Sequence, residues 1–386
     1  MRLRLKSLGR LMRAANGNNA MEKQPESHAR EAPLGEDKSL KQKMWSWPTY
    51  ASIAVSIVIL SILVSMLDIK EIWREFEAAD KFYILIAALS HYATYLVRGM
   101  RWRNCLTRFN LKDGSLRFSL LVFFYNFVDN VVPAKFGDLY ASHMARINFG
   151  VRRSAAIGSI VFLRMIDAWV LLILAGVSSW ILFAAKLPNS VLWSLILGIA
   201  IAVGATSIIL VFFFFKKSIP GFLPEKVVEM IKSFQDGMWP QPERLILIAG
   251  LTVVIWMLES LWIFFLCMAF GFRLSVVELV FLTMIPLLAT SFPFTPSGTG
   301  VVELTLFSCL RLVGAVSPVA ASITVVNRFI DFWLHIGLGL VVFAFRRMLN
   351  LRTWREVPMK TDNLSSRPPQ TPNVQEGSEL LTRVEP

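Results

Sequence analysis

Charge and cysteine are both scarce in this sequence. Only 17% of its 386 residues are charged and 55% are hydrophobic, which leaves no stretch long enough for a large soluble domain. The three cysteines, Cys105, Cys267 and Cys309, have neither metal-site spacing nor the pattern of a disulfide framework. A Walker A loop, a dinucleotide fingerprint and a nucleophile elbow are also missing from the sequence. These absences argue against an ATP-driven pump, and we expect no cofactor, no metal and no enzymatic reaction.

Long apolar runs fill most of the chain, whose mean hydropathy is +0.54. Six runs supply about 20 residues or more, the length that a helix needs to cross a bilayer core of ~30 Å. They lie at residues 48–67, 82–100, 154–184, 191–215, 245–270 and 318–346. The predicted fold class is an all-α polytopic membrane protein whose transmembrane domain covers residues 46–350. We expect residues 1–45 to form a disordered basic arm rather than a signal peptide, and residues 351–386 to form a disordered tail.

The positive residues predict the orientation of these spans. The net charge is +13, and the Lys and Arg residues cluster at the ends of apolar runs. The segment before the first span is rich in them, whereas the loop 68–81 has more acidic than basic residues. By the positive-inside rule both termini face the cytoplasm, and we expect a plasma (inner) membrane location. The same clustering explains the charge without a nucleic-acid partner.

Two further apolar stretches, roughly 116–132 and 276–313, are interrupted by helix-breaking residues. Basic residues flank the first stretch on both sides, so a single crossing would place one basic cluster outside. We therefore predict two re-entrant helical hairpins, the first entering from the cytoplasmic side and the second from the outer side. Their predicted loop and gate residues are Pro133, Gly137, Asp138, Pro296, Gly298, Gly300 and Glu303.

A charged motif occurs twice inside the predicted spans. The sequence RMIDAW, beginning at Arg164, recurs as RFIDFW, beginning at Arg328. Each copy follows a Pro-x-x-x-Gly loop at nearly the same distance, and each Arg lies about 15 Å from the start of its span. The chain thus divides into repeat halves of about 46–187 and 191–350. Because each half has three crossings, the second half is predicted to be inverted relative to the first.

The motif residues suit the binding of an anion. Guanidinium groups bind phosphate through two parallel hydrogen bonds and stay charged in a dry site, so Arg164 and Arg328 are candidate phosphate ligands. Asp167 and Asp331, one helical turn further on, would set their orientation. A purely structural alternative remains open, in which each Asp neutralises its Arg to hold the bundle together.

Other ionisable residues in apolar segments are candidate proton carriers if transport is coupled to protons. The histidines at 91, 143 and 335 have no metal-ligand spacing and are expected to be packing residues. Asp138 and Glu303 have a second possible role as caps of the helices that follow the two loops. The candidate carriers are Asp129, Asp138, Asp167, Asp331, Glu303, Glu259 and Glu278.

Taken in order, these motifs resemble the transmembrane, flippase-like domain of lysylphosphatidylglycerol synthases. The resemblance covers about residues 45–350. The soluble aminoacyltransferase domain of those enzymes has no counterpart in this sequence. It implies lipid translocation without aminoacylation. The residues that carry it are Arg101-Trp102, Asn130, Pro133, Gly137-Asp138, Arg164, Asp167, Pro296, Gly298, Gly300, Glu303 and Arg328. It also implies that Arg101 and Asn130 join the two motif pairs in a substrate site.

The leading hypothesis is therefore a translocase that moves a phosphate-bearing lipid between leaflets. Its expected partners are membrane lipids with anionic head groups. One alternative is a non-transporting partner of a membrane glycosyltransferase or other lipid enzyme. A second alternative is a lipid-modifying enzyme, which would need a nucleophile or metal ligands beside the arginines.

Overall fold

Helices form the regular structure of the chain, known from a computed structural model that describes residues 69–351 except 110, 112–113, 132–136, 185, 216–223 and 290–299. No strand occurs in these ranges. The first predicted span, the basic arm, the tail after residue 351 and the loop residues Pro133, Pro296 and Gly298 lie outside them. The helices are α1 Ile69–Ala78, α2 Lys81–Cys105, α3 Ser115–Val131, α4 Gly137–Phe149, α5 Arg153–Phe183, α6 Asn189–Phe215, α7 Glu225–Met238, α8 Pro242–Ala269, α9 Val276–Ala289, α10 Val301–Leu312, α11 Ser317–Arg328 and α12 His335–Ala344, with a 3-10 turn at Thr107–Phe109 and a π-helix at Phe329–Leu334.

Four helical stretches within the described ranges are long and apolar enough to cross a membrane: Arg153–Phe183, Val191–Val211, Pro242–Ala269 and Ser317–Ala344. Large apolar side chains cover their outer faces, and Ile246 of α8 is 86% exposed. A water-soluble protein rarely exposes so many, whereas lipid solvates them well. The chain is therefore an all-helical membrane protein with several apolar helices. Helix α2, with 25 residues, is also long, but arginines occupy its last two turns.

A succession of one long, two short and one long helix occurs twice along the chain. Helices α2 to α5 have 25, 17, 13 and 31 residues. Helices α8, α9 and α10 have 28, 14 and 12 residues, and the continuous stretch Ser317–Ala344 has 28. The π-helix lies in the middle of Ser317–Ala344, whereas α5 is a regular α-helix along its whole length. The predicted apolar stretch 276–313 contains the two helices α9 and α10, whereas the stretch 116–132 corresponds to α3 alone, and α4 begins at Gly137.

Helices α2 and α8, the first of each succession, pack against one another in opposite directions. The N–H of Asp80, just before α2, donates to the carbonyl of Ala269 at the end of α8, at 2.9 Å. Further along α2, Arg98 donates a hydrogen bond to Glu259, and Arg101 donates one to Thr252. Residue numbers thus fall on α8 as they rise on α2. This antiparallel seam places polar side chains of both helices in the middle of the protein.

The apolar core consists of two clusters with a polar layer between them. The first apolar cluster contains residues of α3 and α4 and, on α5, buried residues up to Leu163. The second apolar cluster contains residues of α9 and α10 and, on α5, buried residues from Leu171 onward. Arg164 and Asp167 of α5 lie between these two positions. The charged motif therefore occupies the boundary where neither cluster buries the helix completely.

The hairpins connect the two successions. Helix α3 packs on α2 and also contacts α12, and helix α9 packs on α5. Gly339 of α12 permits the first contact, because a Cβ atom there would lie 2.2 Å from the ring of Phe127. A similar close approach joins α7 to α5, where a Cβ at Gly237 would lie 1.9 Å from the carbonyl oxygen of Ala155. Small residues at crossing points are typical of helix packing in membranes.

Candidate functional site

The first motif arginine pairs with the short helix that follows the first hairpin loop. Arg164 Nη2 donates to Asp138 Oδ1 at 3.1 Å, and Asp138 is the second residue of α4. At the start of that helix, the N–H of Gly137 donates to Asp129 Oδ1 of α3, which ties the two arms of the hairpin together. The Arg164 side chain is 57% exposed although it lies in the twelfth position of a 31-residue apolar helix. It therefore keeps donors available in the polar layer.

Asp167 was predicted to orient or to neutralise Arg164, and its direct hydrogen bonds go to an arginine of another helix. The Asp167 carboxylate binds Arg101 of α2 through two hydrogen bonds, Nη1 to Oδ1 at 2.6 Å and Nη2 to Oδ2 at 2.8 Å. Thr252 of α8 accepts a further bond from Arg101 Nη1 at 3.1 Å. Arg101 is 3% exposed, so this pair is buried. It joins three helices rather than orienting a neighbour on its own helix.

A second buried pair, Arg98 with Glu259, crosses the antiparallel seam. Arg98 Nη2 lies 2.8 Å from Glu259 Oε1, and the Glu259 side chain is buried. Arg98 lies near the end of the predicted span 82–100 and was not among the predicted site residues. The structure instead continues α2 through residue 105, which brings Arg98 into the polar layer.

These arginines surround a small cavity between α2, α3 and α5. Its volume is about 50 Å³, enough for a water molecule or two. Three of its lining residues are arginines and one is a carboxylate. Each arginine has a carboxylate partner, so these three ion pairs together are neutral. The lining residues are Arg98, Arg101, Trp102, Val122, Tyr125, Asn126, Ile160, Leu163, Arg164 and Asp167. A larger depression on α7, lined by Glu225, Val228, Glu229 and Lys232, involves one face of a single surface helix.

The second motif arginine has the corresponding pairing in the other succession. Arg328 Nε lies 2.8 Å from Glu303 Oε1, and Glu303 is the third residue of α10, after the second loop. Both side chains are buried, and Arg328 also stacks over the ring of Phe332 at 4.4 Å. Glu303 additionally caps its helix, because its Oε2 accepts the N–H of Gly300 at 2.7 Å. That cap, predicted from the sequence, is confirmed, and Gly300 provides the positive φ of 89° that the turn requires.

Asp331 is shared between Arg328 and a histidine of α2. Its Oδ2 lies 3.8 Å from Arg328 Nη1, and its Oδ1 lies 3.6 Å from His91 Nε2. Asp331 belongs to the π-helix, whose wider turn displaces backbone groups from their usual partners. The hydroxyl of Tyr92 donates to the carbonyl of Ile330 there at 2.9 Å. Such π-helical turns occur frequently at functional sites.

The predicted site residues therefore fall into two clusters rather than one. Arg101, Arg164 and Asp167 line the cavity, while Arg328, Asp331 and Glu303 form the second cluster and are not among the lining residues. Asn130 lies in the last turn of α3 and is also not among the lining residues.

Several polar residues of the two clusters were not predicted as site residues from the sequence. Tyr125, Asn126 and Arg98 line the cavity, and His91 and Tyr92 contact the second cluster. Their common signal is a polar or aromatic-polar side chain inside an apolar run, which marks a functional position by its cost in lipid.

Comparison with known proteins identifies the family of this chain. Residues 50–339 match the family model described as the lysylphosphatidylglycerol synthase TM region. A UPF0104 membrane protein of Methanocaldococcus jannaschii is 26% identical over 219 residues, which are 56% of this chain and 93% of the relative. A UPF0104 membrane protein of Pyrococcus horikoshii is 22% identical over 337 residues, which are 78% of this chain and 98% of the relative. Since the family model spans most of the chain, including both clusters, this protein belongs to the family of the lysylphosphatidylglycerol synthase TM region.

Proposed function

We propose that this protein moves a phosphate-bearing lipid between the leaflets of the plasma membrane. The observation that carries the proposal is the cavity wall, in which three arginines and one carboxylate surround a small polar space inside an apolar bundle. A charged head group crossing hydrocarbon alone would lose its hydration at a cost of several kcal/mol or more. Arginines at that depth offset this cost by donating charge-assisted hydrogen bonds to the phosphate.

Arg164 is the residue best suited to meet the head group first. A guanidinium has five N–H donors, and Asp138 accepts from one of its nitrogens. The exposure of the side chain leaves room for a phosphate oxygen to approach. Arg101 is instead committed to Asp167 and Thr252, and it lines the cavity wall as part of that pair. The tails of the lipid would stay outside, along the apolar faces.

The cavity of about 50 Å³ is too small for a lipid head group, so transport requires the helices around it to separate. We propose six spans and two re-entrant hairpins arranged as inverted halves, with both termini in the cytoplasm. The repeated order of helix lengths and the antiparallel packing of α2 and α8 support this arrangement. So does the depth of the motif, because Arg164 and Arg328 are each the twelfth residue of the helical stretches that begin at 153 and 317. Rocking of one half against the other would open the polar layer to each side in turn.

The proposal is tested with purified protein in liposomes that contain a trace of fluorescent phosphatidylglycerol. Translocation is measured as the fraction of label that a membrane-impermeant quencher reaches over time. We expect Arg164→Gln to slow translocation by about tenfold or more, because one lost charge-assisted hydrogen bond is worth ~1.5–3 kcal/mol. Arg328→Gln is expected to slow it as well.

A matched control is Arg152→Gln, which removes an arginine from the exposed pair with Glu229. It should translocate at the wild-type rate. A fluorescent diacylglycerol, which lacks the phosphate, should move at the same rate with all three variants. Unchanged phosphatidylglycerol movement in both Arg164→Gln and Arg328→Gln would refute the assignment. Activity of the purified protein alone would also exclude dependence on an enzyme partner.

A further inference from the structure

Among the residues that the structure describes, the second cluster has one more negative than positive charge. Its charged members are Arg328, Glu303 and Asp331, which sum to one positive and two negative charges when the histidine is neutral. The adjoining pair of Arg98 and Glu259 contributes one charge of each sign and leaves the sum unchanged. Burying a net charge in an apolar protein is costly. One additional positive charge would make the described cluster neutral.

His91 is placed to accept that charge. Its side chain is 3% exposed, and neither ring nitrogen has a hydrogen-bond partner within the described residues. Nε2 nevertheless points toward Asp331 Oδ1 at 3.6 Å, slightly beyond hydrogen-bond length. When a proton binds, a buried imidazole and a carboxylate at this distance approach one another and form a charge-assisted hydrogen bond. The ring is fixed by Trp262 of α8, whose centroid lies 4.1 Å away.

The remaining groups around this pair do not supply the missing charge. From α2 the neighbours are Tyr92, Tyr95 and Arg98, with ring centroids of the two tyrosines 5.2 Å and 5.5 Å from that of His91. Arg328 of α11 pairs with Asp331 and with Glu303 of α10, and Glu259 of α8 pairs with Arg98. On α12, His335 is fully buried and its Nε2 lies 3.3 Å from the carbonyl of Phe123 on α3. All the positive charge among these groups is already included in the sum.

A proton fits this position better than a metal ion. Sodium, magnesium and calcium prefer several oxygen ligands, whereas the pair offers one imidazole nitrogen and one carboxylate. No group of three or more His, Cys, Asp or Glu side chains that could hold a metal occurs in the described part of the chain. The imidazole nitrogen is a base in the physiological pH range.

We infer that His91 and Asp331 form a proton-binding site that couples proton movement to lipid translocation. The inference rests on the proposed function for its coupling and on the cluster alone for proton binding. One proton from water binds to the His91 nitrogen or the Asp331 oxygen, forms the His91–Asp331 hydrogen bond and is later returned to water on the other side. The two clusters then have different tasks, because the arginines of the cavity take the anionic head group and the second cluster takes the proton. Neutralising Asp331 also weakens its attraction for Arg328, which stays paired with Glu303.

Coupling is tested in the same liposomes with a pH gradient across the membrane. For one proton per lipid, a difference of one pH unit is worth about a tenfold change in the final lipid ratio between leaflets. We expect wild-type protein to respond to the gradient, and Asp331→Asn and His91→Gln to lose the response. His143→Gln, which changes a histidine of α4 outside the cluster, should keep it. A wild-type response to a sodium gradient of equal size, or indifference to the pH gradient, would overturn the inference.

A second measurement is independent of transport. The chain has four histidines, so nitrogen-15 NMR of histidine-labelled protein can resolve them, with His91 assigned by its loss in His91→Gln. We expect the His91 signal to respond to pH in the wild type, and Asp331→Asn to alter that response without affecting His143. A His91 response that is the same in Asp331→Asn and in the wild type would overturn proton binding. Wild-type liposomes without any lipid movement would refute the proposed function, and the NMR result would still decide the proton site.

Discussion

Removing the Asp167 carboxylate should destabilise the protein far more than removing that of Asp138. Asp167→Ala leaves Arg101, which is 3% exposed, with a buried charge that has lost both of its shortest bonds. Asp138→Ala leaves Arg164, whose side chain is 57% exposed and can reach water. Both substitutions delete one carboxylate that pairs with an arginine. The difference between their losses in free energy of unfolding therefore reports mainly the effect of burial on the remaining arginine.

The expected magnitudes follow from that contrast. Breaking a buried, well-aligned ion pair from one side costs about 3–5 kcal/mol, because the remaining charge is left without compensation. An exposed pair contributes about 0–1 kcal/mol, since water replaces the partner. Replacing both members by apolar residues, as in Arg101→Met with Asp167→Leu, removes the stranded charge. The double variant should therefore recover most of the loss.

The assay is equilibrium unfolding in mixed micelles, with increasing sodium dodecyl sulfate and helicity as the signal. Wild type, Asp138→Ala, Asp167→Ala and the double variant are compared at one protein concentration. Equal losses for the two single variants, or a double variant no more stable than Asp167→Ala, would contradict the account of this pair as a buried structural junction.

Three further substitutions test the packing and the wide helical turn. Gly237→Ala should cost about 1–3 kcal/mol, because its new Cβ would lie 1.9 Å from the carbonyl oxygen of Ala155 and force α7 away from α5. Gly250→Ala, with no atom within 4 Å of the new Cβ, should instead stabilise its helix by up to about 1 kcal/mol; the same unfolding assay decides both. Tyr92→Phe removes the bond to the carbonyl of Ile330 and should cost about 1 kcal/mol, and an unchanged free energy of unfolding would argue against that bond supporting the π-helix.

The apolar pattern predicted the helices well because span length and lipid exposure are encoded in consecutive residues. The span predicted at 154–184 is a helix over Arg153–Phe183, and the breaks near Pro133 and Pro296 separate two helices in each case. Helices α1 and α7 lie in stretches for which no helix was predicted. Helix α2 also continues beyond residue 100, where its predicted span ends, because Arg98 and Arg101 have partners on other helices that make them tolerable in the interior.

The pairing of the motif residues was harder to predict, and side-chain direction explains why. Side chains on a helix lean toward its N-terminus, so the long chain of Arg164 extends away from Asp167, which follows it. An acid that precedes a base by one turn is better placed than the reverse order in this motif. Arg328 and Asp331 come no closer than 3.8 Å even in the π-helix. Partners from distant segments, Asp138 and Arg101, become visible only after the hairpins fold.

The contact between α3 and α12 has a consequence for how the chain is made. Helix α3 emerges from the ribosome about 200 residues before α12, which it packs against. At roughly 5–20 residues per second, that interval lasts on the order of 10–40 s. During that time the face of α3 around Phe127 must be covered by lipid, by the insertion machinery or by a chaperone. The N-terminal half of the protein is therefore inserted early but completed only when the last helix is delivered.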